Sequence, residues 1–183
     1  GLCVRWNGTV FVVLGKGGSY PIAYSRDGVV WTAVSSNVFG GTPSPSGLAW
    51  NGTYWLAGSD GSSNTILRSR DGITWTGLGG TATFTGRCSA IIWTGSSWIA
   101  GGATSGGAGV LAYSVDNGAN WTSVTCPIDL EVTGLAYSGQ RIIAIGRGNT
   151  HTLAHSTNGI SWTGLGNTVF NNTTANARVK WCV

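Results

Sequence analysis

Six residues of this 183-residue chain carry a carboxylate side chain: Asp27, Asp60, Asp71, Asp116, Asp129 and Glu131. Cleaving a glycosidic bond ordinarily takes two such groups facing each other across the bond. Asp129 and Glu131 stand two residues apart, so an extended segment puts both on one face. Nothing recurs elsewhere to complete a site with them, and Asp60 stands alone. Asp27, Asp71 and Asp116 each fall in a repeated turn, where the side chain is already occupied. The two histidines, His151 and His155, lie on one side of a strand but roughly 13 Å apart, too far to share a metal. No Cys/His metal spacing is present, no phosphate-cradling loop leads into a helix, and no nucleophile has an evident base. The sequence therefore predicts no catalytic residue, no metal and no cofactor.

Recognition of a sugar asks for less, an aromatic platform with planar polar groups beside it. The long loops 15–20, 59–64, 102–109 and 147–151 supply Tyr20, Asn64, Arg147, Asn149 and His151 as ligand-binding candidates. Phe39, Phe84 and Phe170 recur at similar offsets in later loops. That repetition favours a plug between neighbouring units over stacking on a sugar, although Phe84 stays among the ligand candidates.

Composition narrows the class. Thirty-one glycines, ten tryptophans, one glutamate and two lysines leave few helix formers and many strand and turn formers, which predicts an all-β chain. The net charge of +4 comes from the scarcity of acids, and the arginines are scattered. No basic stripe or reading motif points to nucleic acid, and no apolar run is long enough to span a membrane. No signal peptide is visible, and because the sequence starts at Gly1 an upstream leader stays open.

The elements that would position any site are organised around one turn. Ser114-Val115-Asp116-Asn117-Gly118-Ala119-Asn120-Trp121 recurs one residue shorter around Ser25, Asp27, Gly28 and Trp31, and again around Ser69, Asp71, Gly72 and Trp75. A fourth copy has Ser156, Asn158, Gly159 and Trp162. Asp and Asn side chains bond backbone N–H groups a residue or two ahead, and Gly accepts the positive φ of a tight turn. The Trp opens the next strand as an apolar plate. Ser-x-Asp-x-Gly-x-x-Trp resembles the Asp-box (BNR) motif, which in that family sits between the third and fourth strands of a β-propeller blade. Only the copy at 114–121 has the full spacing; the others are a shortened variant.

The repeat is wider than the turn. Trp6, Trp50, Trp93, Tyr137 and Trp181 are separated by 44, 43, 44 and 44 residues. A period of that size with four short strands per unit predicts a propeller. The units fall at about 1–47, 48–90, 91–134 and 135–177, in one domain, with a closing strand over 178–183. In the second unit the strands are expected at 48–50, 54–58, 65–69 and 74–78. The second strands, such as Phe11-Val12-Val13-Leu14 and Ile142-Ile143-Ala144-Ile145, are apolar throughout, as expected of strands covered on both faces.

The C-terminal strand either latches beside the first unit to close a four-bladed ring or belongs to a longer array. Four cysteines allow three disulfide connectivities, and repeat geometry favours Cys3–Cys182 with Cys88–Cys126, which implies an oxidising compartment. Four buried free thiols are the alternative. Asn7, Asn51, Asn120, Asn171 and Asn172 head glycosylation sequons, compatible with a secretory route.

The resemblance to Asp-box propellers implies sialidases and other glycosidases among possible activities, but those enzymes have more blades than four units supply. Similar repeats also resemble arrays in surface proteins of bacteria and large DNA viruses. Together these readings predict a non-catalytic propeller, extracellular or on a cell or virion surface, that recognises a glycan or a surface protein. The alternative is a structural coat or fibre protein that self-assembles through its faces or termini.

Overall fold

Short runs of β-branched and aromatic residues, punctuated by glycine turns, fold four times over into an antiparallel four-stranded sheet. The computed structural model describes residues 3–16, 19–79 and 83–170. The first sheet holds β1 (Cys3–Trp6), β2 (Phe11–Leu14), β3 (Ile22–Ser25) and β4 (Thr32–Ala33). The second holds β5 (Gly47–Trp50), β6 (Trp55–Gly58), β7 (Ile66–Ser69) and β8 (Thr76–Gly77). The third holds β9 (Arg87–Trp93), β10 (Trp98–Ala103), β11 (Gly109–Ser114) and β12 (Thr122–Val124). The fourth holds β13 (Glu131–Tyr137), β14 (Ile142–Arg147), β15 (Leu153–Ser156) and β16 (Thr163–Gly164). Within each sheet the strands pair in chain order, each with the next. The innermost strands β1, β5, β9 and β13 lie side by side in succession, so the sheets stack as blades.

The repeated turn is held the same way in every sheet. The serine Oγ accepts the glycine N–H at 2.9 Å in the first, second and fourth copies (Ser25, Ser69, Ser156) and at 3.0 Å in the third (Ser114). The same hydroxyl donates to the Asp or Asn Oδ1. Asp71 Oδ1 accepts the N–H groups of Ile73 and Thr74, and Asn158 Oδ1 accepts those of Ile160 and Ser161. Each box tryptophan then donates its indole N–H back to the glycine carbonyl, at 3.0–3.2 Å. In the longer third copy the extra residue, Asn117, takes φ 60°. Its carbonyl accepts from Arg68 of the second sheet, so the insertion ties two blades together.

This geometry sets the acid limb of stability. Backbone donors Val29 and Val30 hold Asp27 below its ordinary carboxyl range. Burial alone would raise Asp71 and Asp116, but the donors on them outweigh it and both end lowered. A lowered folded-state pKa stabilises fully above the unfolded value, about 4, and that contribution fades as pH falls through the folded value below it. Asn158 makes the same backbone bonds without titrating. Asp71→Asn is accordingly expected to keep neutral-pH stability and shallow the loss below about pH 4, whereas Asp71→Ala costs about 1–2 kcal/mol at neutral pH. Urea melts at pH 7 and pH 3 check both, and equal effects of the two variants at pH 7 would contradict the shared-acceptor account.

Three apolar clusters fill the spaces between consecutive sheets. Val12, Leu14, Ile22, Leu48, Trp55 and Trp75 pack between the first and second. Leu56, Ile66, Phe84, Ile91 and Trp98 pack between the second and third, and Ile99, Leu111, Ile128, Leu135 and Ile142 between the third and fourth. Among the described residues no such cluster joins the fourth sheet to the first. The expectation of second strands covered on both faces holds for β6 and β10, which are buried at every residue. It fails for β2 and β14, where burial alternates. The reason is positional: among the described residues the first and last sheets each have a neighbour on one side only. The closing strand at 178–183 lies outside the described residues.

The cysteine pairing needs correction. Cys88 and Cys126 are free thiols, as is Cys3. Cys88 belongs to the cluster between the second and third sheets, while Cys126 packs against the cluster between the third and fourth. A whole sheet separates them, so no bond forms. Burial pushes the Cys88 thiol well up and Cys126 to about 11, which makes both poor nucleophiles. Cys182, the partner expected for Cys3, lies outside the described residues.

Candidate functional site

The charged side chains that converge do so at one end of the inner strands β9 and β13. Arg87 opens β9 and Glu131 opens β13, exactly one repeat apart, and their side chains meet at 3.3 Å. The same guanidinium reaches Asp60, just past β6, at 3.4 Å. Arg147, at the end of β14, closes on the other oxygen of Glu131 at 3.5 Å. Ser89 Oγ donates to Glu131 at 3.1 Å, so both carboxylate oxygens are engaged. The chain of charges thus runs across three blades.

Two glycines make that convergence possible. In β10 the register against β9 shifts at Gly101/Gly102, and in β13 the register against β14 shifts at Val132/Gly134. A Cβ on Gly102 would enter the space of the Arg87 carbonyl, and one on Gly146 that of the Glu131 carbonyl. The backbones approach this closely only because no side chain is there. The bulges turn the starts of β9 and β13 so that Arg87 and Glu131 face each other.

Beside these charges lies an open cleft of about 530 Å³, lined by Gly86, Arg87, Ala103, Thr104, Ser105, Gly106, Gly107, Leu130, Glu131 and Arg147. The walls are guanidinium, carboxylate, hydroxyl and backbone, with no aromatic ring. Such a surface can bind an acid group or a peptide backbone by charge-assisted hydrogen bonds. No group of three or more His, Cys, Asp or Glu suited to a metal occurs among the described residues.

The residues expected from the sequence are not brought together. Of the ligand candidates, Arg147 alone lines the cleft. Tyr20 is exposed in the loop between β2 and β3. Asn64 is a loop clamp, donating to the Val38 carbonyl at 2.6 Å and accepting the Gly79 N–H at 2.8 Å. His151 occupies the equivalent place two units on, its Nδ1 accepting the Gly166 N–H at 2.8 Å. Asn149 is held by both oxygens of Asp129. Burial would raise Asp129, but these donors outweigh it and lower its carboxyl. Phe84 is fully buried, edge-on to Trp121 at 5.8 Å, and fills the gap between blades. Phe39 does the same one gap earlier and Ile128 one gap later, whereas Phe170 stays exposed.

Asp129 and Glu131, two residues apart in sequence, diverge: one braces the 147–151 loop, the other faces the cleft. Among the sequons, Asn7 and Asn51 brace hairpin turns through Oδ1, and the Asn120 amide nitrogen is spent on Asp116 at 2.7 Å. Asn171 and Asn172 lie outside the described residues. Arg87 was legible in principle, because opposite charges one repeat apart must sit on neighbouring inner strands.

No protein-family model matches this chain, and no curated protein sequence does either. Solved structures do. The structure described as YCF48 bound to D1 peptide superposes with a TM-score of 0.62 at 15% identity, covering 86% of this chain and 51% of that one. A nidogen/laminin complex gives 0.60 at 14% identity, over 81% and 56%. A GH74 enzyme of Niastella koreensis gives 0.54 at 23% identity, over 86% of this chain and 24% of that one. The chain thus spans about half the length of the first two. At such identities the likeness speaks to fold alone, and on fold the four antiparallel sheets make this chain a β-propeller.

Proposed function

We propose that this propeller is a non-catalytic recognition module of the Asp-box type, displayed outside the cell or on a virion, whose ligand enters the cleft beside Arg87, Glu131 and Arg147. The observation that carries the reading is the convergence of two half-exposed guanidinia on one shielded carboxylate, held by bulges in two adjacent blades. That arrangement presents guanidinium N–H groups beside hydroxyls and glycine backbone, its two positive charges balanced by Glu131 and Asp60. It suits a protein segment bearing a carboxylate, because Arg pairs with carboxylates in a fixed fork geometry. A glycan is served less well there, since the cleft has no aromatic platform. The non-catalytic reading is supported by Glu131, whose two oxygens are both taken up by structural partners. The surface location rests on the resemblance to displayed repeat arrays, and free Cys3, Cys88 and Cys126 lend it no support.

The test is a fluorescence-polarisation screen of acidic and neutral peptides, run beside a glycan array on the same protein. An acidic peptide is expected to bind, weakened at least tenfold by Arg147→Ala and less by Arg147→Lys. Binding unaffected by Arg147→Ala, or seen only for glycans, would assign recognition to another surface.

A further inference from the structure

The two end sheets expose the faces that everywhere else in the molecule are buried against a neighbour. Val4 on β1 is 50% exposed, while its repeat equivalents Leu48, Ile91 and Leu135 are 3–4% exposed. Trp31 is 41% exposed against 7% for Trp75. On the fourth sheet, Leu165 is 49% exposed, whereas Val34 at the same repeat position is 6% exposed, and Leu78 and Val124 pack into the next clusters. The open face of the first sheet continues as a row in register, Val4, Val13, Ala23 and Ala33. That of the fourth continues through Ile145, Leu153 and Leu165. Neither row carries a carboxylate or a lysine.

These faces are of two kinds. Three times within the chain, a face of the Val34 kind receives a face of the Leu48 kind. Among the described residues, the fourth sheet leaves the first kind unpaired, and the first sheet leaves the second kind unpaired. Contiguous exposed apolar surface of this sort marks an interaction site. The surface already shown to fit each face is the other.

We propose that a second copy of the chain docks head to tail, the fourth sheet of one copy on the first sheet of the other. Two such contacts close a ring of eight sheets with two-fold symmetry. The contact would prolong the blade-to-blade stacking that already runs through the molecule. The face shares β14 with the cleft residue Arg147, but Val4 and Leu165 do not line the cleft, so failure of the docking would leave the peptide-binding reading standing.

Sedimentation equilibrium of the 183-residue chain tests it. A discrete species of about twice 18.8 kDa is expected. Val4→Glu spoils one face and Leu165→Glu the other, so each alone should give the one-copy mass with an unchanged far-UV spectrum. Mixing the two variants should restore a two-copy species, because the intact fourth sheet of one meets the intact first sheet of the other. A one-copy mass for the unaltered chain, or a dimer indifferent to either variant, overturns the proposal. So does a one-copy chain that dimerises only when residues 171–183 are removed, which would give the faces to its own C-terminal segment.

Discussion

Phe84→Ala is expected to cost the fold about 3–5 kcal/mol, the usual range for deleting a fully buried phenylalanine ring. The melting temperature should fall by on the order of 10 °C in a chain of this size. The ring lies between the second and third sheets with no exposed atom to offer a ligand, and its edge contact with Trp121 is lost with it. Phe170→Ala is the matched control. Its ring is at a similar offset in sequence but is 45% exposed, so stability should change by about 0.5 kcal/mol or less. Thermal melts of the two variants separate the plug from the sugar-stacking role. A Phe84→Ala protein with an unchanged melt and lost ligand binding would return Phe84 to the ligand list.

The second large effect is expected at Gly146. An alanine Cβ there would enter the space of the Glu131 carbonyl oxygen and lie 2.9 Å from Ile128 Cγ2. Backbone, unlike a flexible side-chain tip, cannot swing aside, so β13 and β14 must part. Overpacking of this kind costs about 1–3 kcal/mol and occasionally more. Because β13 begins at Glu131, the same displacement should pull the carboxylate away from Arg87 and Arg147 and weaken binding in the cleft. Gly15→Ala meets nothing within 4 Å and should be neutral in both assays. Denaturant melts with peptide titration on the two variants decide it; a Gly146→Ala protein as stable as the parent would mean that the bulge accommodates a side chain.

Much of the architecture was legible in the linear chain. The 44-residue spacing of Trp6, Trp50, Trp93 and Tyr137 and the four Ser-Asx-Gly-Trp turns placed most of the sixteen strands to within two residues, but β9 and β13 begin four residues before the repeat of 48–50 places them, at Arg87 and Glu131. Turn chemistry is local: Asp71 reaches donors two and three residues ahead, and Gly72 supplies its own φ. Strand ends were less accurate. The fourth strands came out shorter than expected, because Trp31, Trp75 and Trp162 belong to the turn rather than to the ladder.

What the sequence by itself determined, then, is what short-range bonding and periodicity fix: the all-β class, the blade unit, its turns and the plugs at Phe39 and Phe84, though not at Phe170. The tertiary structure alone decided everything that depends on which units become neighbours. It separated Asp129 from Glu131, joined Glu131 to Arg87 one blade away, and turned Asn64 and His151 into clamps. It also put Cys88 and Cys126 on opposite sides of a sheet. The physical reason is that contacts between blades join residues about 44 positions apart, and their geometry is set by bulges and by how closely glycine lets two backbones approach.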